Sequence, residues 1–563
     1  MAVNLVLRRG ELFGIVVANS SEKSILLRAV PGFLLYVFVP CKAAGALLPP
    51  ETSRLSQGPP VKILAIRPEG FLGVRVLGAL PSPSLTRAPE KPMKPESKYV
   101  LKLVTAGAVV VACLFHPNGL RAEDANGADR RPNVIIILLD DLGYTDIGVY
   151  GAPKIRTPYA DRMAAEGVKL TDFYAESLCS PTRAALLTGS YAERVGMDRV
   201  CWPDSEIGLH PDEITIADLL REQGYATACI GKWHLGHHPE FLPTNHGFDY
   251  YFGLPFSNDM GPDSRREAFP PLPLMRNEEI IEEGPDQRYL TRRYTAEAIG
   301  FMEENRDRPF FLYLAHTFPH VPLYVSEEFE GVSEFGLYGD VVEELDWSTG
   351  RILEAVEDLG LDEDTLVVFA SDNGPWLQKG AGGGLATPLR DGKGTAWEGG
   401  HRVPAIMRWP GRIPAGKVVN EITTVMDLYP TLAELAGAEL PGDRVIDGRT
   451  LLPLLTGEGE FEPYEAYFYY RLRGLRAVRA GEWKFHREGT YRDYNNIYYD
   501  YTPDYRIHVY ESLFNLDEDP AEQRNLALDH PELVEKLKAV LEEHEEEMSR
   551  NSRPLGDIND LRE

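Results

Sequence analysis

Four apolar runs constrain this chain more than any other feature. Asn133-Val-Ile-Ile-Ile-Leu-Leu139 is apolar after its first residue and rich in β-branched side chains. Such a run reads as a strand buried on both faces, because a half-exposed strand would alternate. Residues 225–230, 309–315 and 365–370 have the same character. Helices are expected between them, at 214–223 and 338–359. This alternation predicts an α/β fold, with a large, mostly parallel or mixed sheet sandwiched by helices.

Polar residues follow each run. Asp140-Asp141 follow the first, Gly231-Lys232-Trp233-His234 the second, His316 and His320 the third, and Ser371-Asp372-Asn373-Gly374 the fourth. Ligands of open α/β sheets bind beyond the carboxyl ends of the strands, so these residues are expected to converge. Alone, an Asp-Asp is usually a cap or turn and an Asp-Asn-Gly a turn. Together, Asp140, Asp141, Asp372 and Asn373 offer three carboxylates and an amide oxygen. An all-oxygen set suits a hard cation, and Ca²⁺ tolerates irregular loop geometry better than Mg²⁺. Left unpaired, three clustered carboxylates would also repel one another, which calls for a cation.

The sharpest motif is Cys179-Ser-Pro-Thr-Arg183, followed by Leu187-Thr188-Gly189. Pro181 suits a first helical turn and Gly189 a stop, so Cys179 is expected just before a helix N-terminus. The helix dipole there favours negative charge on its side chain. Arg183, one turn on, can face the same atom. A lone motif of this kind is usually a buried Cys beside a solvated Arg; a Cys nucleophile would need a nearby base and leaves the carboxylates unexplained. Lys232 and His234 are two apart and would share a side of an extended strand end. Lys393 lies between Gly392 and Gly394, which permit close backbone approach to a ligand.

The chain carries 58 Lys and Arg against 86 Asp and Glu, a net charge of −28. So acidic a chain argues against nucleic acid as a partner. The five cysteines, Cys41, Cys113, Cys179, Cys201 and Cys229, form no CxxC pair and are too scattered for a disulfide scaffold. Residues 1–92 differ from the rest, with eleven basic and five acidic residues and Pro-rich breaks. From Met93 a basic start, an apolar run over 99–115 and Leu120-Arg121-Ala122 give the three parts of a secretory signal peptide. The run is short for a membrane span, which needs about 20 apolar residues. We therefore expect 1–92 to be a gene-model artefact or disordered extension, 93–122 a signal peptide, and the mature protein exported without a membrane span. Val110-Val111-Ala112-Cys113 leaves a lipid anchor as the lesser alternative.

These residues, in this order, resemble the type I sulfatases of the alkaline phosphatase superfamily. The likeness rests on Cys179–Arg183, Asp140-Asp141, Gly231–Gly236, Pro319-His320-Val321-Pro322, Asp372–Gly374 and Lys393–Gly400, and covers 131–456 as a catalytic domain. It resumes at Ala480–Lys484 and Leu513–Pro520, in a smaller C-terminal α+β subdomain over 461–563. Gly247-Phe248-Asp249 and Ser257–Pro262 resemble the subgroup around arylsulfatase A and N-acetylgalactosamine-6-sulfatase. The resemblance implies a sulfuric ester hydrolase in which Cys179 is oxidised to formylglycine during export, by a formylglycine-generating or anaerobic sulfatase-maturating enzyme. It implies one Ca²⁺ on Asp140, Asp141, Asp372, Asn373 and the modified Cys179. Arg183 would steady the hydrated aldehyde, Lys232, His320 and Lys393 would hold the sulfate, and His234 would act on the second hydroxyl. His316 is left to outer or substrate contact, and His401 to lining the pocket or a structural role. The implied substrate is a sulfated carbohydrate or aryl sulfate, with periplasmic, extracellular or lysosome-like localisation. A phosphoesterase of the same superfamily would carry Ser or Thr at position 179 and two zinc ions, and an inactive glycan-binding relative would have lost Cys179, Arg183 or Lys393.

In the C-terminal part, eleven Tyr and Phe residues crowd 464–501, and Arg471, Arg473, Arg476 and Arg479 are spaced among apolar residues. An antiparallel sheet is expected, then a helix from Pro531 to about Arg550 capped by Asp529, with Leu533, Val534, Leu537, Val540 and Leu541 on one face. The aromatics read as core packing first and sugar contacts second.

Overall fold

The computed structural model describes residues 23–30, 33–40, 131–264, 268–472, 474–492 and 506–562. It divides into two units, 1–115 and 116–563. In the first unit the described part is an antiparallel hairpin of β1 (Lys23–Val30) and β2 (Phe33–Pro40). The expected signal peptide and Cys113 lie outside the described residues.

The second unit is built on a mixed sheet that has eleven strands among the described residues, ordered β13-β4-β12-β11-β3-β10-β6-β7-β8-β9, with β14 also on β4. In chain order these are β3 (Asn133–Leu139), β4 (Val168–Tyr174), β6 (Ala226–Lys232), β7 (Tyr250–Leu254), β8 (Pro273–Arg276), β9 (Glu279–Glu283), β10 (Phe310–Ala315), β11 (Thr365–Ser371), β12 (Arg402–Arg408), β13 (Lys417–Val419) and β14 (Thr423–Thr424). The five central strands from β11 to β7 are parallel, and β12, β8 and β9 run antiparallel to their neighbours.

Side chains alternate across a strand, and on β3 both sets are buried. Val134, Ile136 and Leu138 pack against α2 (Cys179–Thr188), α3 (Ile216–Glu222) and α7 (Leu428–Ala436). Ile135, Ile137 and Leu139 pack against α1 (Pro158–Glu166), α4 (Leu290–Asn305) and α5 (Leu337–Asp358). This is the physical reason the run carries no polar alternation, and full burial of each such side chain stabilises by about 1.5–3 kcal/mol. The helix expected at 214–223 is shorter, because Thr215 and Asp218 form a capping box that starts it at Ile216.

A second sheet of β15 (Tyr467–Arg471), β16 (Gly474–Ala480), β17 (Trp483–His486) and β20 (Ser512–Asn515) is antiparallel throughout. Beside it lie a hairpin of β18 (Gly489–Arg492) and β19 (Arg506–Val509), and the pairing of β5 (Ile207–Gly208) with β21 (Gly556–Asp557). Helix α8 (Leu452–Thr456) precedes the sheet, and α9 (Pro531–Asn551) buries Val534, Leu537, Leu541 and Met548. Its N-cap is His530 rather than Asp529, with no side-chain capping bond. Tyr467, Tyr469, Tyr470 and Tyr491 are buried, and the Tyr467 ring lies 4.5 Å from that of Tyr174 on β4. The described aromatics are thus packing; Tyr494, Tyr498, Tyr499, Tyr501 and Arg473 lie outside the described residues. Among the described residues no helix is long and apolar enough to cross a membrane.

Candidate active site

Strands β11, β3, β10 and β6 are consecutive and parallel, so their carboxyl ends open on one edge. Leu139 pairs with Ser371, Leu138 with Ala315, and Ala315 with Gly231. Asp140 and Asp141 therefore leave β3 beside Asp372 and Asn373 leaving β11, with Lys232 closing β6 and His320 on the loop after β10. Strand β4 reaches the same edge and feeds α2, which begins at Cys179 itself, one residue earlier than expected. All ten residues of α2 are buried, and Gly189 ends it at φ 65°, its N–H on the Ala185 carbonyl. The Thr182 hydroxyl donates to the Asp372 carbonyl, tying the helix to β11.

One ligand atom each from Asp140, Asp141 and Cys179 lie within 4.8 Å of one another, all buried. Asp141 sits at φ 68°, a left-handed conformation that turns it back toward Asp140. Its N–H donates to Asp372 Oδ1 at 3.1 Å, and Asn373 Nδ2 donates to its Oδ1 at 2.7 Å. Three buried oxygens, Asp140 Oδ1, Asp141 Oδ2 and Asn373 Oδ1, have no hydrogen-bond partner. Leaving a buried acceptor unpaired costs about 1–3 kcal/mol, more when charged. Unpaired oxygens on two carboxylates and one amide are the donor set of a hard cation, and the residues present fit Ca²⁺. Among the described residues no second cluster of three such side chains has metal-ligand spacing.

The carboxylates are not left unpaired. Arg183 donates through Nε at 3.2 Å and Nη2 at 2.8 Å to Asp372 Oδ2, and through Nη1 at 2.7 Å to the Lys232 carbonyl. The Lys232 ammonium bonds Asp140 Oδ2 and Ser257 Oγ, and Lys393 bonds Asp141 Oδ1 at 2.6 Å with Cys179 Sγ at 3.5 Å. Burial alone would raise the Asp140 pKa, but Lys232, His320, Arg183 and Lys393 override it and hold the carboxyl well below its usual range. Burial pushes the Cys179 thiol up to about 11, beyond what Lys232 and Lys393 offset. The helix dipole therefore does not make it a thiolate, and as a thiol it is a poor nucleophile at neutral pH.

The hydrogen bonds fix the roles of the two site histidines. His234 Nε2 lies 3.0 Å from the Cys201 carbonyl, which can only accept, so Nε2 carries the hydrogen. Its Nδ1 has no partner and is a bare base. Burial, followed by Lys232 and Arg183, holds His234 well below the usual imidazole range. Its φ is 64°, so a turn after β6 places it, and strand alternation from Lys232 does not. His320 Nδ1 faces the Val321 carbonyl at 2.6 Å and Asn258 Oδ1 at 3.0 Å, so Nδ1 donates and Nε2 faces Asp141 Oδ2 at 3.7 Å. His316 belongs elsewhere: it is buried against Ser348 of α5, with Nε2 3.2 Å from the hydroxyl, and touches no site residue. His401 is buried with Nδ1 2.9 Å from the Ala175 carbonyl and Nε2 3.1 Å from the Tyr470 carbonyl, one of which takes its single N–H, and it is structural. Cys201 and Cys229 are buried free thiols and do not pair.

The loop carrying Lys393 is fixed from the second sheet. Lys484 Nζ donates to the Ala396 carbonyl and Glu398 Oε1 at 3.0 Å each, and lies 2.9 Å from Glu522 Oε1. Glu522 Oε2 accepts the Glu398 N–H at 2.7 Å, opening α6 (Glu398–His401), and Arg471 Nε donates to the Gly394 carbonyl at 2.7 Å. The Gly392 and Gly394 pair serves this packing: a Cβ on Gly392 would meet the Pro375 carbonyl at 2.2 Å, and Gly394 needs φ 75°. At Gly392 the close approach is to protein backbone. Sequence reasoning did not single out Ser257, Asn258 or the Lys484–Glu522 pair. Ser257 and Asn258 stood in a motif used only for resemblance, and Glu522 carried no signal among so many acidic residues.

Comparison with known proteins agrees with this geometry. The sulfatase family model matches residues 132–438, and the model of the N-sulphoglucosamine sulphohydrolase C-terminal region matches 392–549. The chain is 42% identical over 427 residues to arylsulfatase A of Bos taurus, covering 70% of this chain and 83% of that protein. It is 44% identical over 383 residues to N-acetylgalactosamine-6-sulfatase of Canis lupus familiaris, covering 64% and 73%. Among solved structures, the PsFucS1 sulfatase from Pseudoalteromonas sp. superposes with a TM-score of 0.69 at 29% identity, covering 76% of this chain and 92% of that one. With a parallel-stranded α/β core, an acidic cluster at its strand ends and these matches, the chain belongs to the sulfatase family, hydrolases of sulfate esters.

Proposed function

We propose that the protein cleaves sulfate esters of carbohydrates through a formylglycine made from Cys179, with one Ca²⁺ held by Asp140, Asp141, Asp372, Asn373 and residue 179. The observation that carries this reading is the set of three buried, unpartnered oxygens beside a cysteine that opens a helix, faced by Arg183, Lys232 and Lys393. When present, the cation supplies Lewis acidity toward the sulfate, and the hydrated formylglycine supplies the hydroxyl that attacks sulfur.

The chain's own side chains do the rest. The charges of Asp140, Asp141 and Asp372 are matched by those of Arg183, Lys232 and Lys393. A divalent cation therefore leaves the site net positive, which draws in an anionic ester. Lys232 and Lys393 donate to the sulfate oxygens from fixed positions; His320, whose Nδ1 hydrogen is taken by Val321 and Asn258, serves the departing alcohol oxygen from Nε2 only as the imidazolium. His234, bare at Nδ1, is the base at the second hydroxyl of residue 179. Arg183 braces Asp372 and the end of β6 through three hydrogen bonds, which orients residues on both sides of residue 179. The raised thiol pKa supports a need for conversion, and so implies a formylglycine-generating or anaerobic maturating enzyme as partner. The likeness to N-acetylgalactosamine-6-sulfatase supports a sugar sulfate as substrate, met by an exported protein.

Peptide mass spectrometry across Cys179, on protein from its native host, tests this. The expected peptide has exchanged sulfur for oxygen and lost two hydrogens, and the same preparation turns over an aryl sulfate until the metal is chelated. An intact thiol together with no turnover overturns the reading.

A further inference from the structure

Lys393 is held by two groups that the reaction itself uses. Its ammonium bonds Asp141 Oδ1 at 2.6 Å and lies 3.5 Å from Cys179 Sγ. Asp141 is a candidate ligand of the cation, and residue 179 is the one the chemistry converts. An ammonium on a flexible four-carbon stem needs a further anchor to keep one place while those partners change. The structure offers an indole. Lys393 Nζ lies over the Trp376 ring, 4.9 Å from its centroid. The face of a tryptophan attracts a cation, more strongly where water is excluded, and Lys393 is 8% exposed.

Trp376 is itself a fixed point. It stands three residues after Asn373 on the loop that leaves β11, and its carbonyl accepts the Lys379 N–H at 2.9 Å. Its Nε1 donates to Gln378 Oε1 at 2.9 Å, which sets the plane of the ring. The Lys379 ammonium lies over the same ring at 3.7 Å. The backbone joins the two loops as well, because the Lys393 N–H donates to the Pro375 carbonyl at 3.0 Å. Trp376 thus ties the loop of Asp372 and Asn373 to the loop of Lys393. It also lies 5.3 Å from His320 in ring centroids. The imidazole of His320 is already fixed, however, by Asn258 Oδ1 and the Val321 carbonyl at Nδ1, and leaves a neighbour little freedom to remove.

We infer that Trp376 is a positioning residue for sulfate-ester cleavage, its ring face holding the Lys393 ammonium at the place where it meets the sulfate oxygens. The inference rests on the sulfate-ester reading above.

The test is a double-mutant cycle read as kcat/KM per formylglycine-bearing molecule. Its probes are two aryl sulfates, one with a good and one with a poor leaving group. Trp376→Leu and Trp376→Met should each lower kcat/KM about tenfold, equally for both esters. Trp376→Phe keeps a ring face and should stay within about threefold of wild type. In a Lys393→Ala background the leucine and methionine substitutions should cost less than about twofold, because the group they act through is gone. Two non-aromatic variants are made so that poor folding of one leaves the other to decide. Losses of the same size with and without Lys393 overturn the inference, as does a Trp376→Phe that loses as much as Trp376→Leu. A loss that grows with the poorer leaving group assigns Trp376 to His320 and overturns it too. A wild type that carries formylglycine yet cleaves neither ester overturns the sulfate-ester reading and this inference with it.

Discussion

Individual residues at this site act as matched charges, and that sets what single substitutions do. Lys393 is both the partner of Asp141 and a sulfate donor placed beside residue 179. Lys393→Ala should lower kcat/KM by roughly 10²–10³, the usual effect of deleting one fixed donor to a developing anion. Steady-state kinetics on an aryl sulfate checks it, and a loss below threefold would show that Lys393 does not face the sulfate. His316 makes a different prediction. Burial holds it down to about 3 against an ordinary value near 6.5. Its neutral form thus contributes stability above about pH 6.5 that is lost as pH falls toward 3, because the unfolded chain gains a proton the folded one refuses. At pH 5 this amounts to about 2 kcal/mol, from 1.36 kcal/mol per pKa unit. His316→Gln should therefore lose less stability than wild type between pH 7 and pH 5 in denaturant titrations. Parallel losses would show that His316 titrates in the folded protein as it does in water. At this scale the sequence named side chains that the structure brings together, but misjudged how some of them are placed. Asp372 is braced by Arg183, His234 is aimed by a left-handed turn, and Gly392 is small because the Pro375 carbonyl passes close by.

Among the elements, the apolar strands were legible and the edges were not. β3, β6, β10 and β11 are buried on both faces, so their composition alone declares them. β9 is five residues long with three glutamates and lies at the sheet edge, with no local apolar pattern to read; β12 is internal and buried, but Pro404 in its middle argues locally against a central strand. The bond between the second sheet and the Lys393 loop was likewise invisible. Its prediction is Lys484→Met. Removing the ammonium strands Glu398 and Glu522 in a site where all three side chains are fully buried, a loss of about 3–5 kcal/mol. Adding Glu522→Gln should recover part of that stability. If Lys484 also positions Lys393, activity per folded molecule falls in the single variant with kcat more affected than KM. Lys484→Arg should rescue activity further than Lys484→Met. Unchanged activity per folded molecule would leave the network with packing alone.

Across the molecule, the cation links the site to global stability. A ligand bound only by the folded state stabilises it by RT ln(1 + [L]/Kd), about 2.7 kcal/mol at a hundredfold excess over Kd. Ca²⁺ added to chelator-treated protein should raise the unfolding midpoint by a few degrees, and Asp141→Asn should remove most of that rise. Calorimetry without substrate reads this independently of activity, and no shift in wild type would argue against the site. The sequence by itself determined the strands, the polar residues at their ends and the helix that Cys179 opens, because each is written in a short stretch of neighbouring residues. Only the tertiary structure decided that β11, β3, β10 and β6 stand side by side, that Arg183 grips Asp372, and that Lys484 of another sheet and Glu522 of the loop after it hold the Lys393 loop. Those are contacts between residues tens to hundreds of positions apart, fixed by which strands pair and which faces meet, and no local pattern of apolar and polar residues carries that information.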